Sequence, residues 1–164
     1  MKQIALFSLI ACCSLFSCDS PQKHDDNLMK YTKNLVVAKQ FIEAFSTKDS
    51  TLEASLLSDD YLAFGPGIGQ DSLSKEVIVN GDKGWMKTFS EIKLTNAEYS
   101  PGLDANYEIN SDVRLYGTWI FKFAKSRKTS KMKFYAEFKI NDAGQIYRYK
   151  EFCELHDMTK ELNN

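Results

Sequence analysis

The chain has 164 residues, of which 43% are hydrophobic and 13% aromatic, with a formal net charge of −1. So many aromatic side chains suit a packed core or a lined cavity and exclude a disordered chain, and a length of this order suits one domain. Balanced charge offers no field to draw in a polyanion, so nucleic acid is not an expected partner.

Residues Met1 to Ser17 read as a bacterial lipoprotein signal peptide ahead of Cys18. Lys2 supplies the positive start, and Ile4 to Phe16 form an apolar stretch shorter than the roughly 20 residues that cross a bilayer. Leu15-Phe16-Ser17-Cys18 resembles a lipobox, where a cysteine is lipidated and becomes the new N-terminus. Leu9-Ile10-Ala11-Cys12 matches that consensus more closely, yet cleavage there would leave only Ile4 to Ala11 as the apolar region, the short end of the usual range. Cys18 is the preferred lipidation site, and a plain N-terminal membrane anchor is the alternative. Either way the chain is expected outside the cytoplasm and held at a membrane, as a lipoprotein of the periplasmic face or the cell surface. With Cys12 and Cys13 lost and Cys18 acylated, Cys153 has no partner, so no internal disulfide is expected.

Residues 18–29 are polar and contain Pro21, which predicts a flexible tether. A folded domain is expected over 30–158 and a disordered tail over 159–164. Leu35, Ala38, Phe41, Ile42 and Phe45 recur at helical spacing, predicting an amphipathic helix from Lys30 to Phe45. Asp49 to Leu57 reads as a short capped helix. Tyr61 to Phe64 is a brief strand that ends in Gly65-Pro66-Gly67-Ile68-Gly69, and Ser74 to Phe89 is a helical pattern with a break and restart at Gly81-Asp82. Beyond Glu91 the apolar period changes to two. Ile92 to Tyr99 forms a strand closed by Ser100-Pro101-Gly102. Val113 to Phe123 and Met132 to Ile140 alternate apolar and polar residues. Asn141-Asp142-Ala143-Gly144 makes a hairpin turn before a last strand, Gln145 to Glu154. Helices first and strands afterwards predict an α+β domain.

The order of these segments resembles a known family. A helix carrying Phe41-Ile42-Glu43-Ala44-Phe45 is followed by Leu57-Ser58-Asp59-Asp60-Tyr61, by Gly84-Trp85-Met86 leading into Ile92-Lys93-Leu94, by Val113-Arg114-Leu115-Tyr116-Gly117-Thr118-Trp119, and by Ile140 to Ile146. This is similar to the nuclear-transport-factor-2-like, or SnoaL-like, superfamily, including its small extracytoplasmic bacterial members, over about Lys30 to Glu154. The resemblance implies a cone-shaped, curved antiparallel sheet wrapped against N-terminal helices (a cystatin-like arrangement), a cavity at the open end and dimerisation through the sheet. It licenses no reaction, because the superfamily holds isomerases, cyclases, hydratases and epoxide hydrolases beside members that only bind or assemble.

Cyclase chemistry of the SnoaL type pairs a cavity acid with a histidine, and the chain offers only His24 and His156, one at each end. An isomerase-type site needs a carboxylate beside a Tyr or a protonated acid. Asp59, Asp60 and Tyr61 precede the first strand; the plainer reading leaves both acids in water with Tyr61 packed inward. Glu151 alternates with Tyr147, Tyr149 and Cys153 on one strand face, opposite Ile146, Arg148, Lys150 and Phe152. If that face turns into the cone, burial raises the Glu151 pKa; if not, Glu151 pairs with surface lysines. The glycine cluster fails the dinucleotide pattern at Gln70. The basic run Lys122, Lys125, Arg127, Lys128, Lys131 and Lys133 reads as a solvated hairpin tip, with anionic headgroups the rival partner. No spacing suggests a metal ligand set, and no cofactor is implied.

The expected function is therefore binding, without turnover, of a small apolar or amphipathic molecule in a cone pocket lined by Tyr61, Trp85, Trp119, Phe134, Tyr149 and Glu151. The rival readings are an isomerase or hydratase using Asp60 or Glu151 with a Tyr, and a structural module that dimerises through its sheet. The expected partners are a membrane through the N-terminal lipid, a small-molecule ligand and a second copy of the chain.

Overall fold

The computed structural model describes residues 21–65 and 72–154. Cys12 and Cys18, the loop residues Pro66 to Gly69, His156 and the tail lie outside the described residues. The elements in chain order are α1 (Pro21–Thr47), α2 (Ser50–Leu56), β1 (Leu57–Phe64), β2 (Leu73–Ser74), α3 (Lys75–Thr88), β3 (Phe89–Leu103), β4 (Ile109–Phe123), β5 (Thr129–Ile140) and β6 (Ile146–Cys153).

The first helix is longer than expected. Residues 21–29, read as tether, are its opening turns, because the folded domain offers them partners. Lys23 pairs with Glu108 at 3.2 Å, and the Asn27 amide donates to the Ile109 carbonyl at 2.9 Å. One heptad later Asn34 repeats the contact, donating to the Ser111 carbonyl at 2.8 Å. These amides pin α1 along the start of β4, and Tyr31, Ala38, Phe41 and Ile42 bury the same face. The helix ends at Lys48, whose φ of +62° turns the chain, and the Asp49 side chain then caps α2 by accepting from the Thr51 and Leu52 amides.

Helix α3 runs through Gly81 and Asp82 without the expected break. A mid-helix glycine costs about 1 kcal/mol, and burial of Val79 and Met86 on one face outweighs it. Strand β3 likewise continues through Ser100 and Pro101, which still pair with Arg114 and Val113 of β4. It is an edge strand, so the missing proline N–H breaks no ladder.

The six strands form one open sheet in the order β2-β1-β6-β5-β4-β3. It is mixed rather than wholly antiparallel, since β1 runs parallel to β6. Those two strands lie far apart in the chain, so no hairpin turn dictates their direction. The inner face follows the alternation: Val113, Leu115, Trp119, Phe121 and Phe123 on β4, and Met132, Phe134, Ala136, Phe138 and Ile140 on β5, are all buried. Gly117 interrupts that series because a Cβ there would come within 2.8 Å of a Leu94 methyl.

The pairing of β6 holds one correction. Lys139 faces Arg148 while Ile140 faces Ile146, so Tyr147 is an extra residue, a β-bulge. Ile146 is fully buried and Phe152 is 61% exposed, so the face they were expected to share does not exist. Alternation restarts after the bulge and turns Tyr149, Glu151 and Cys153 toward the helices.

Candidate functional site

A cavity of about 400 Å³ lies between the helices and one end of the sheet. The C-terminal half of α1 contributes Phe41, Ile42 and Phe45, and α3 contributes Val77, Ile78, Asp82 and Trp85. Tyr61 and Ala63 of β1, Trp119 and Phe121 of β4 and Met132 of β5 complete the apolar walls. Tyr149, Glu151 and Cys153 of β6 supply a polar edge. The rings interlock: Phe45 meets Trp119 edge-on at 5.4 Å between centroids, and Phe41 lies 5.8 Å from Tyr149.

Of the residues read from the sequence as lining, Tyr61, Trp85, Trp119, Tyr149 and Glu151 are on the wall. Phe134 is not: it is buried behind Trp119, 5.5 Å from its ring, as core. Asp59 and Asp60 are exposed. Asp59 faces Lys75 at 3.6 Å, and Asp60 accepts from the Ser58 hydroxyl at 2.7 Å. Asp60 therefore does not share the cavity with Glu151, and the acid pair that the enzyme reading drew from it is not made.

Another pair is. Glu53, fully buried on α2, sits against Asp82 of α3. Neither Glu53 oxygen meets a donor among the described residues. Two carboxyl groups make a hydrogen bond only by sharing a proton, and Glu53 holds it. Burial, with the Asp82 contact and charge, pushes the Glu53 pKa up to about 9, against a weaker downward pull from Lys83. Burial raises Asp82 too, opposed by the bond from Glu53.

On the facing strand, the Tyr149 hydroxyl donates to Glu151 at 2.7 Å and the Cys153 thiol lies 3.9 Å from the other carboxyl oxygen. Burial raises the Glu151 pKa; the Tyr149 bond pulls it down, and the charge of Asp82 raises it again. The Cys153 thiol is pushed up to about 12, chiefly by burial, which leaves it protonated and unreactive. Tyr61 is 1% exposed, and its hydroxyl has no partner among the described residues. Burial lifts its pKa well above the ordinary value, followed by the charges of Asp82, Glu151 and Glu53.

Glu53 and Asp82 were not singled out as site residues from the sequence. Their signal was an acid on an apolar stripe: Glu53 shares its face with Leu56 and Leu57, and Asp82 lies between Ile78 and Trp85. The assembled end of the cavity can share protons and bind a polar group in an apolar setting. Among the described residues, no group of His, Cys, Asp and Glu is arranged to hold a metal ion.

No family model matches the chain, and no curated protein matches its sequence. Solved structures do. The chain is similar to AusH from Aspergillus nidulans, at 18% identity over 75% of this chain and 84% of that one, with a TM-score of 0.61. It is similar to AclR, a candidate hydroxylase from Streptomyces galilaeus, at 13% identity over 80% and 96%, with a TM-score of 0.66. A candidate SnoaL-like polyketide cyclase from Shewanella denitrificans OS-217 aligns at 10% identity over 79% and 96%, with a TM-score of 0.62. Likeness at these identities concerns fold alone, and the fold they share with this chain is the α+β cone of SnoaL-like structures.

Proposed function

We propose that this chain is a lipid-anchored SnoaL-like domain that holds a small, mainly apolar molecule in its cone cavity. The supporting observation is the cavity itself, about 400 Å³ with aromatic walls and one polar end at Tyr61, Asp82 and Glu151. Ligand sites have this size and this balance of broad apolar lining with a few placed polar groups. Lipid at Cys18 would hold the protein at a membrane by its N-terminal end.

The test is titration with N-phenyl-1-naphthylamine, a neutral dye that fluoresces in apolar surroundings. Saturable binding of one dye per chain is expected, with quenching of Trp85 or Trp119. Val77 is on the wall and 52% exposed, so Val77→Trp should plug the cavity at its mouth and abolish binding while the circular dichroism spectrum stays unchanged. Dye uptake without saturation, or untouched by the plug, would end the proposal.

A second reading, an isomerase- or hydratase-type enzyme, draws support from the proton shared by Glu53 and Asp82. Asp82 would take a proton from the carbon between a carbonyl and a double bond and return it to the far carbon of that double bond, while Tyr61 would hold the oxyanion formed in between. Conversion of a β,γ-unsaturated ketone to its conjugated isomer, followed by ultraviolet absorbance and lost in Asp82→Asn, is the measurement that would favour it.

A further inference from the structure

The polar end of the cavity has an unusual composition. It gathers the carboxyl groups of Glu53, Asp82 and Glu151, the phenols of Tyr61 and Tyr149 and the thiol of Cys153. Every one of these groups is either neutral or negative. No Lys, Arg or His side chain lines the cavity among the described residues. Lys83, exposed on α3, pulls weakly on Glu53 from outside the cavity lining. Acids buried together without a counter-ion are pushed toward their neutral forms by desolvation and mutual repulsion.

A neutral ligand with a carbonyl would use one protonated carboxyl and gain nothing from the other two. A ligand that brings a positive charge gains from all of them. Two further observations point the same way. The Tyr61 hydroxyl is buried and unpartnered, ready to accept a bond from an N–H donor. Trp85, one turn beyond Asp82 on the same face of α3, presents its ring to the same cavity, as does Trp119; aromatic faces attract cations, most strongly when water is excluded.

We propose that the cavity takes a hydrophobic amine, its ammonium group seated between Asp82 and Glu151 against the Tyr61 hydroxyl and its apolar body against Trp85, Trp119 and Phe45. This rests on the small-molecule reading above and names its ligand class. Glu53 lies behind Asp82 and acts through it, as the holder of the shared proton. Seating an ammonium group makes the second charge of the pair favourable, so the proton held by Glu53 leaves to solvent. The groups that face this exchange are Glu53 from α2, Asp82 and Lys83 from α3, Tyr61 from β1, and Tyr149, Glu151 and Cys153 from β6; α1, β4 and β5 contribute only apolar side chains to the cavity.

Octylamine, 1-octanol and 2-octanone share one chain length and differ in the head group. Each is titrated directly into the wild-type protein at pH 7, followed by tryptophan fluorescence and by calorimetry in two buffers of different ionisation enthalpy. Octylamine should bind at least tenfold more tightly than either neutral compound and release about one proton. Its Kd should fall by up to tenfold per pH unit between pH 6 and 8. Asp82→Asn should bring octylamine and 1-octanol within threefold of each other. Equal or tighter binding of 2-octanone or 1-octanol overturns the amine assignment and leaves the pocket reading standing. If neither octylamine nor the naphthyl dye binds, both fall.

Discussion

Glu53 is a carboxyl group that folding forces to keep its proton. In the unfolded chain it ionises near its ordinary value of 4.5, and in the folded protein only at about 9. Between those values the folded state binds more protons than the unfolded one, so stability falls as pH rises. The contribution is fully present below the unfolded value and is lost as pH climbs through the folded one. The slope from this group is at most about 1.4 kcal/mol per pH unit. Glu53→Gln keeps the shape and a hydrogen-bond donor toward Asp82 but cannot ionise. Thermal melts from pH 5 to pH 9 should therefore show a falling midpoint in the wild type and a flatter profile in Glu53→Gln. Equal slopes would mean that Glu53 is ionised in the folded protein. At this scale the sequence was partly legible: the alternation of β6 set Tyr149, Glu151 and Cys153 on one face. It could not separate Trp119, on the cavity wall, from Phe134, packed behind it, because both carry the same inward parity on paired strands.

Among the elements, α2 has a weight beyond its length. It spans only Ser50–Leu56, too short to persist alone in water, yet it carries Glu53. The Asp49 carboxylate accepts from the Thr51 and Leu52 amides at 3.1 and 2.9 Å. Asp49→Ala should cost about 1 kcal/mol, read as a lower urea midpoint. The hairpin into β6 depends on Gly144, whose φ is +76° and beside which a Cβ would meet nothing within 4 Å. The cost of Gly144→Ala is thus backbone strain alone, about 1 kcal/mol; a neutral effect would show that the turn relaxes. That turn was readable from Asn141 and Gly144, since turn chemistry is local. The continuity of α3 through Gly81 was not, because a favourable packed face decides it against the local preference.

At the scale of the whole molecule, α1 joins the two ends of the cone. Its start meets Glu108 and Ile109, at the beginning of β4, and its second half lines the cavity beside Trp119 and Phe121, near the other end of that strand. A lipid at Cys18 would therefore attach at the end remote from the cavity. Under that proposal, fatty-acid labelling of cells should be lost in Cys18→Ser and retained in Cys12→Ser; the reverse pattern would move the site to Cys12. The outer sheet face carries Tyr116, Tyr135 and Phe152 in a row, with Tyr116 and Phe152 more than half exposed. We propose it as the seat of a second copy of the chain. Sedimentation of the wild type as a dimer, and of Tyr116→Lys with Phe152→Lys as a monomer, is the expected result; a monomeric wild type would remove the proposal.

Periodicity and turn chemistry are local properties, and the sequence carried them openly: the amphipathic α1, the alternation of β4 and β5, the Asn141–Gly144 turn and the α+β order all follow from residues a few positions apart. The parallel pairing of β1 with β6, the bulge at Tyr147 and the meeting of Glu53, Asp82 and Glu151 do not. Each joins segments distant in the chain, and in each a side chain or strand is placed by what packs against it. An acid on an apolar stripe is a signal only once the neighbouring element is known to cover it. Burial then changes its chemistry, so the proton that Glu53 holds belongs to the folded cone and to no stretch of the sequence alone.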